Sequence, residues 1–194
     1  MAKQQCVICG KSLGILSEKT LTTDKLLLCK TCSQKANRSF PVYKHSLDEY
    51  HTHLTQMDGS RRIYEALFAP LINEKQVEEG SPYNNKHNNP RVKRYGGGNE
   101  SIWAADEYGL MLFMSSQMVN RGEDGDRNLV YRYAELAAYR YSSEDDINEI
   151  HLTFNCPLLV KEISVTVYDR NVYNAFDKHF LGIDRKSTRL NSSH

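Results

Sequence analysis

The stretch Cys6-Val7-Ile8-Cys9 and its counterpart Cys29-Lys30-Thr31-Cys32 decide how the first part of this chain folds. Two cysteines three positions apart can hold one cation from a tight turn, and a second pair completes a tetrahedral shell of four sulfurs. Gly10 follows the first pair, where the turn needs a residue that tolerates a positive φ. The spacing therefore predicts one metal site with the ligands Cys6, Cys9, Cys29 and Cys32.

One structural Zn²⁺ is the occupant that this ligand set favours, because four thiolates leave no open coordination position for catalysis. Three alternatives stay open on the sequence alone: a disulfide pair, a redox-active C-x-x-C, and iron in place of zinc. The disulfide is disfavoured because no apolar signal segment precedes Cys6. Iron is disfavoured because such sites usually carry glycine after both pairs, and Ser33 follows the second.

The residues between and after the two pairs predict a zinc ribbon or treble clef over residues 1–40. Apolar positions at Leu13, Ile15 and Leu16 and again at 26–28 flank polar segments, which is typical of a hairpin. Residues 33–38 are expected to form a short helix with Cys32 in its first turn. About forty residues cannot build a large core, so metal ligation is expected to stabilise this module.

Residues 41–72 carry helix signals. Ser46 with Glu49 three positions later is a capping box, which predicts a helix over Leu47–Met57 that Asp58-Gly59 ends. A second short helix is expected over 60–68, with Pro70 at its exit. The neighbouring histidines His51 and His53 are expected in solvent, because side chains two positions apart on a helix face different directions.

Residues 73–99 have the polar composition of a flexible linker, rich in Asn, Glu, Gly and Pro. Within it, Arg91–Gly96 is a basic and aromatic cluster, which fits either a solvated hinge or a contact with phosphate or RNA bases. The three glycines at 96–98 lack the spacing of a phosphate-binding loop.

Residues 100–183 alternate in the manner of short antiparallel strands. Exposed loops are expected over Arg121–Arg127 and over Ser142–Asn148; the first lacks the spaced acids of a calcium loop. Cys156 falls on an apolar face and is expected to be a buried side chain rather than a nucleophile. The expected strands cover 102–106, 110–114, 129–133, 137–141, 149–156 and 162–168, and a closing helix covers 172–180. The whole chain is therefore predicted to be α+β, with a β-rich domain that a C-terminal helix closes.

The last eleven residues, Asp184–His194, show neither a hydrophobic period nor helix caps. They resemble the translation of a short sequencing adapter, which implies that the natural chain continues past Ile183 into other residues.

Two resemblances follow from these motifs. The cysteine pattern “CVICGK…CKTC” ahead of a short helical segment and a β-rich body resembles bacterial and phage proteins that are grouped as domains of unknown function with an N-terminal zinc ribbon. The segment Leu129–Tyr141 resembles the start of the core sheet in bacterial pleckstrin-homology-like (PH-like) domains. These resemblances imply a zinc site and an adaptor role, and they imply no reaction.

Charge and composition limit the function classes. Residues 1–45 carry eight basic and two acidic side chains, a net charge of +6, whereas residues 100–183 carry seven and fourteen, a net charge of −7. No apolar stretch is long enough to span a membrane, and no set of nucleophile, base and acid is evident, so no catalytic residue is assigned. We expect a non-enzymatic, cytoplasmic, zinc-binding adaptor with a protein partner. The alternative is nucleic-acid binding through the basic N-terminal region, residues 1–45, which we call the head.

Overall fold

The computed structural model describes residues 4–73, 91–96, 100–115 and 127–191. The predicted loop at 121–127, apart from its last residue, and most of the predicted linker at 73–99 lie outside these ranges. The fold is α+β, as predicted, with helices and exclusively antiparallel strand pairs in the described residues.

The cysteine-rich head consists of two small hairpins and one helical turn. Strands β1 (Gln4–Gln5) and β2 (Ser12–Leu13) form the first hairpin, β3 (Lys19–Leu21) and β4 (Leu27–Cys29) form the second, and α1 (Lys30–Ser33) follows. The helix predicted over 33–38 is wrong in its position. Cys29 acts as the N-cap, and its sulfur accepts the Cys32 N–H, so the helix begins at Lys30.

The head buries fewer aliphatic side chains than its sequence indicates. Leu13 and Leu28 are buried, but Ile15 is 95% and Leu16 is 98% exposed. The prediction that both support the hairpin is therefore wrong, because they lie in the loop between β2 and β3, beyond the paired residues.

The helical segment is longer and more continuous than predicted. Helix α2 (Leu47–Ile63) starts at Ser46 with the predicted capping box, passes into a π-helical turn (Tyr64–Phe68) and continues as α3 (Ala69–Asn73). Two predicted ends are wrong. Gly59 is accommodated inside α2, where the Asp58 carboxylate pairs with Arg61 and Arg62 one turn later.

Pro70 lies within α3 rather than at a helix exit. Proline offers no N–H, and its ring normally collides with the carbonyl four residues earlier. Here the π turn widens the preceding backbone, so that the N–H of Ala69 bonds to the carbonyl oxygen of Tyr64.

The described residues of the body form seven strands in two antiparallel sheets. The first sheet has the order β5 (Lys93–Tyr95), β6 (Glu100–Ala105), β7 (Leu110–Ser115) and β8 (Leu129–Arg132). The second sheet has β10 (Ile147–Phe154) between β9 (Leu136–Glu144) and β11 (Glu162–Val167). Helix α4 (Arg170–Asn191) follows and contacts both sheets, through β5 and β11.

Three details of the body differ from the sequence predictions. Lys93–Tyr95 is a strand paired with β6 and not a linker. The predicted loop Ser142–Asn148 shrinks to a turn at Asp145 and Asp146, which both have positive φ, as a two-residue hairpin turn requires. Helix α4 begins two residues before the predicted position and runs through Asn191.

The first sheet is buried on both faces, which explains its nearly continuous apolar strands. Trp103 and Leu112 face the end of the helical segment, where Phe68 and Leu71 cover them. The alternate residues belong to a larger core that extends over the second sheet and α4 and reaches the cysteines of the head. Buried side chains of the first sheet in this larger core are Tyr95, Ile102, Ala104, Met111, Phe113, Leu129 and Tyr131.

Polar contacts fix the helical segment on the body. The hydroxyl of Ser60 accepts the backbone N–H of Val130, and the side chain of Gln56 bonds to the backbone of Pro157 and Leu159. Head, helical segment and body therefore pack against one another in the described residues.

Candidate metal centre

The four predicted ligands meet at one point. The sulfur atoms of Cys6, Cys9, Cys29 and Cys32 all lie within 4.8 Å of one another. The Cys9 and Cys29 sulfurs are 3.8 Å apart. A tetrahedron with metal–sulfur bonds of about 2.3 Å has sulfur–sulfur edges of about 3.8 Å, so this pair already has the spacing of a shared metal. None of the five cysteines is in a disulfide, and the four sulfurs fit one metal ion.

The first ligand pair lies in a tight turn between β1 and β2. The Cys6 N–H bonds to the carbonyl oxygen of Lys11 at 2.9 Å, and the Gly10 N–H bonds to the carbonyl oxygen of Cys6 at 2.8 Å. Gly10 has a φ of +69°, a conformation that costs little for glycine and more for residues with a side chain. The glycine thus allows the turn that brings Cys9 back towards Cys6.

The second ligand pair lies where β4 passes into α1. Cys29 has extended backbone and Cys32 lies in the first turn of the helix, so both sulfurs lie at the helix N-terminus. The Cys32 N–H donates to the Cys29 sulfur at 3.4 Å, and the Tyr50 hydroxyl donates to the Cys32 carbonyl oxygen at 2.6 Å. Helix α2 therefore holds the second ligand pair through a buried hydrogen bond.

The thiols differ in acidity because their surroundings differ. Burial opposes ionisation of Cys6, but the backbone N–H groups of Cys29, Cys9 and Ile8 donate to its sulfur and hold its pKa at about 6. Burial and the three neighbouring cysteines raise the pKa of Cys32 well above its usual range. A cation at the centre would oppose the mutual repulsion of four thiolates, and its binding would release protons.

The centre is buried on one side and open on the other. Cys6, Cys29 and Cys32 are at most 5% exposed, whereas Cys9 is exposed. The three buried ligands belong to the large core, so the site is part of the packing of the head against α2.

An aromatic stack between Phe40 and α2 includes a histidine that the sequence analysis placed in solvent. His53 is fully buried, its ring lies 4.1 Å from that of Phe40, and its Nε2 accepts the Asn37 N–H. The prediction is right for His51, which is exposed, and wrong for His53. The buried residues of α2 recur at helical spacing and are Tyr50, His53, Met57 and Ser60. This spacing in the sequence could have placed His53 on the buried face of the helix.

A second polar network connects α4 to the first sheet. The Tyr95 hydroxyl lies 2.5 Å from His179 Nδ1, and His179 Nε2 lies 2.6 Å from Asp106 Oδ1. The same oxygen accepts a hydrogen bond from the Tyr133 hydroxyl, and the other carboxylate oxygen of Asp106 accepts one from Lys93. Sequence reasoning missed this network because Tyr95 and His179 are 84 residues apart. Each ring nitrogen of His179 has a partner, so the network fixes the position of the helix.

The basic cluster at 91–96 has internal partners. Arg91 pairs with Glu107, Lys93 pairs with Asp106, and the Arg94 guanidinium lies over the Trp103 ring. These contacts compete with phosphate or base binding at the same side chains. Cys156, the fifth cysteine, is buried as predicted, and burial raises its pKa.

Within the described part of the chain, no helix is long and apolar enough to cross a membrane. No protein-family model, curated protein or solved structure matches this sequence.

Proposed function

We propose that this protein is a non-catalytic, cytoplasmic adaptor whose head is folded around one structural Zn²⁺. The observation that carries the proposal is the four-cysteine cluster, with sulfurs within 4.8 Å and three of the four ligands buried in the core. Zn²⁺ has no electronic preference for another geometry, so four thiolates can bind it as a tetrahedron. A saturated shell stabilises a fold and leaves no position for a substrate.

Element analysis of the purified protein tests the metal. One equivalent of zinc per chain supports the proposal, and Cys9→Ser should lower the zinc content, because the variant removes a ligand whose side chain is exposed rather than packed in the core. Iron with the absorption bands of a ferric tetrathiolate, or a disulfide detected by mass spectrometry, contradicts it. Cys156→Ala is the matched control, since its sulfur is not part of the cluster, and it should retain full zinc content.

The proposed adaptor role rests on a body that has the layout of a binding module. Four strands and then three strands form two antiparallel sheets, and a C-terminal helix contacts both. This order supports the resemblance to PH-like domains, and the head supports the resemblance to bacterial and phage zinc-ribbon proteins. Folds of this kind carry many functions, so the proposal assigns binding and no specific ligand.

Proximity labelling in a bacterial host, with the labelling enzyme fused to either terminus, tests the adaptor role. The adaptor role is supported if a small set of proteins is labelled by the wild type and the same proteins are not labelled by Cys29→Ser, which lacks an intact head. Zinc-dependent turnover in a panel of hydrolase, transferase and nuclease substrates would overturn it.

Nucleic-acid binding is the second candidate, and the charge of the head favours it. The net charge of +6 over residues 1–45 falls to +4 when one Zn²⁺ and four thiolates are counted. Lys11, Lys19 and Lys25 are exposed. Affinity for RNA or DNA that falls steeply as salt rises would establish this function; no binding at low salt would remove it.

A further inference from the structure

The loop between β2 and β3 presents two adjacent aliphatic side chains to solvent. Ile15 is 95% and Leu16 is 98% exposed. A single exposed aliphatic residue is ordinary in a folded protein, but two successive ones form an apolar projection that the head itself does not cover.

Leu16 also lines a pocket of about 370 Å³ on the same side of the head. Leu13 and Cys29 also line it, as do two basic residues, Lys11 and Lys30, and one acidic residue, Glu18. Lys30 is paired with Glu18 at 2.7 Å, whereas Lys11 has no ion-pair partner among the described residues. The pocket therefore suits an aliphatic side chain that has a carboxylate beside it.

The acidic part of the same chain, residues 100–183, exposes such an aliphatic side chain with carboxylates beside it. The turn between β9 and β10 contains Asp145 and Asp146, which follow Glu144 and precede Ile147. Ile147 is 54% exposed, and the three acids make no ion pair with any side chain that the structure describes. The tight two-residue turn presents this apolar and acidic tip away from the sheet.

We propose that the head pocket of one chain binds the β9–β10 tip of a second copy of this chain. Ile147 contacts Leu16 and Ile15, and the neighbouring carboxylates face Lys11. The charges of the two regions have opposite signs, +6 over residues 1–45 (+4 when one Zn²⁺ and four thiolates are counted) and −7 over residues 100–183, and they favour this encounter over head-to-head or body-to-body contact. Self-association is independent of the adaptor role, because both surfaces belong to this chain.

The contact joins two different surfaces, so it is heterologous and builds rings or open chains of subunits rather than a closed two-fold dimer. A lipid surface is the competing occupant for exposed aliphatic side chains beside lysines. The concave shape of the pocket favours a single protruding protein side chain over the flat surface of a bilayer.

Sedimentation velocity on the full-length, zinc-loaded protein over a concentration series tests this proposal. We expect the weight-average sedimentation coefficient to rise with concentration and the rise to shrink in 0.5 M salt. Leu16→Asp and Ile147→Asp should each abolish the rise, and both sites are exposed enough to leave zinc content unchanged. Tyr43→Asp changes a side chain that is 62% exposed and lies outside both surfaces, and this variant should associate as the wild type does.

A mixture of the two defective variants provides the decisive result. Each retains one intact surface, so Leu16→Asp and Ile147→Asp together should form a 1:1 complex although neither associates alone. The proposal is overturned by a wild-type protein that stays monomeric throughout, by a mixture that stays monomeric, or by Leu16→Asp variants that associate normally. Binding of the wild type to anionic phosphatidylserine vesicles that is lost in Leu16→Asp, without self-association, assigns the loop to lipid instead.

Discussion

The hydroxyl of Tyr50 donates a hydrogen bond of 2.6 Å to the carbonyl oxygen of Cys32. Tyr50 is fully buried in the first half of α2, and Cys32 is a ligand of the candidate metal centre. Burial, together with the nearby Cys32, Cys6 and Cys29, raises the pKa of Tyr50 to about 12. The phenol therefore stays protonated at neutral pH, and its hydrogen bond connects the helical segment to the metal site.

Tyr50→Phe should weaken metal binding without removing a ligand. The substitution leaves the Cys32 carbonyl oxygen buried with one partner fewer, which costs about 1–3 kcal/mol in the free energy of unfolding. Competition with a chromogenic zinc chelator should show faster or more extensive zinc loss from the variant. Tyr43→Phe removes an exposed hydroxyl and serves as the control; equal zinc retention in both variants would contradict the role assigned to Tyr50.

Cys29→Ser should unfold the head and spare the body. Cys29 is both a ligand and the N-cap of α1, so its loss removes one metal bond and weakens the start of the helix. Metal ligation contributes about 10–16 kcal/mol in zinc-finger peptides, more than the few buried aliphatic residues of the head can replace.

Hydrogen exchange followed by mass spectrometry measures this outcome. Amides of residues 4–40 should exchange rapidly in Cys29→Ser, while β6, β7 and β10 keep their protection because their strand pairing and the share of the larger core that lies within the body remain. The C-terminal half of α2 should also stay protected, since Ser60 bonds to Val130 in β8. A protected head, or exchange of the body together with it, would show that the two parts do not separate in this way.

The cysteine ligands and the strand faces could be predicted from the sequence because both depend on short-range spacing. Cys6 and Cys9 are close in any compact conformation, and alternation along β10 identifies Ile150 and Leu152 as core residues. The continuation of α2 past Gly59 could not be predicted, because packing on β8 offsets the low helix propensity of glycine. The His179 network could not be predicted either, since tertiary structure alone brings its members together.

His53 should make the stability of the protein depend on pH. Burial, and to a smaller extent His45, lowers the pKa of His53 to about 4, whereas an unfolded histidine has a pKa of about 6.5. Between these values the unfolded chain binds more protons than the folded one. The stability linked to neutral His53 is therefore complete above pH 6.5 and is lost as the pH falls towards 4, by about 3 kcal/mol in all.

His53→Gln removes this titration but keeps an acceptor for the Asn37 N–H. Urea unfolding at several pH values should give a shallower fall in the free energy of unfolding between pH 6.5 and 4.5 for the variant than for the wild type. Acid release of the metal contributes to both proteins, so the difference between their slopes isolates His53. His51→Gln, at an exposed site on the same helix, should keep the wild-type slope; identical slopes for all three proteins would mean that His53 titrates normally.

Gly96→Ala should destabilise the body far more than the same change at Gly109. Gly96 has a φ of +110°, and a Cβ atom there would lie 2.6 Å from Val165 Cγ1 and 2.9 Å from the carbonyl oxygen of Glu100. Neither neighbour can move freely, because Val165 is buried in β11 and Glu100 is paired in β6. Backbone strain and overpacking together should cost about 3 kcal/mol.

Gly109 also has a positive φ, of +61°, but a Cβ atom added there would meet no other atom within 4 Å, so alanine should cost only about 1 kcal/mol. The fluorescence of Trp103, the single tryptophan, reports unfolding of the first sheet in both variants. Equal losses at the two glycines would show that the close approach of β11 to Gly96 does not constrain the fold.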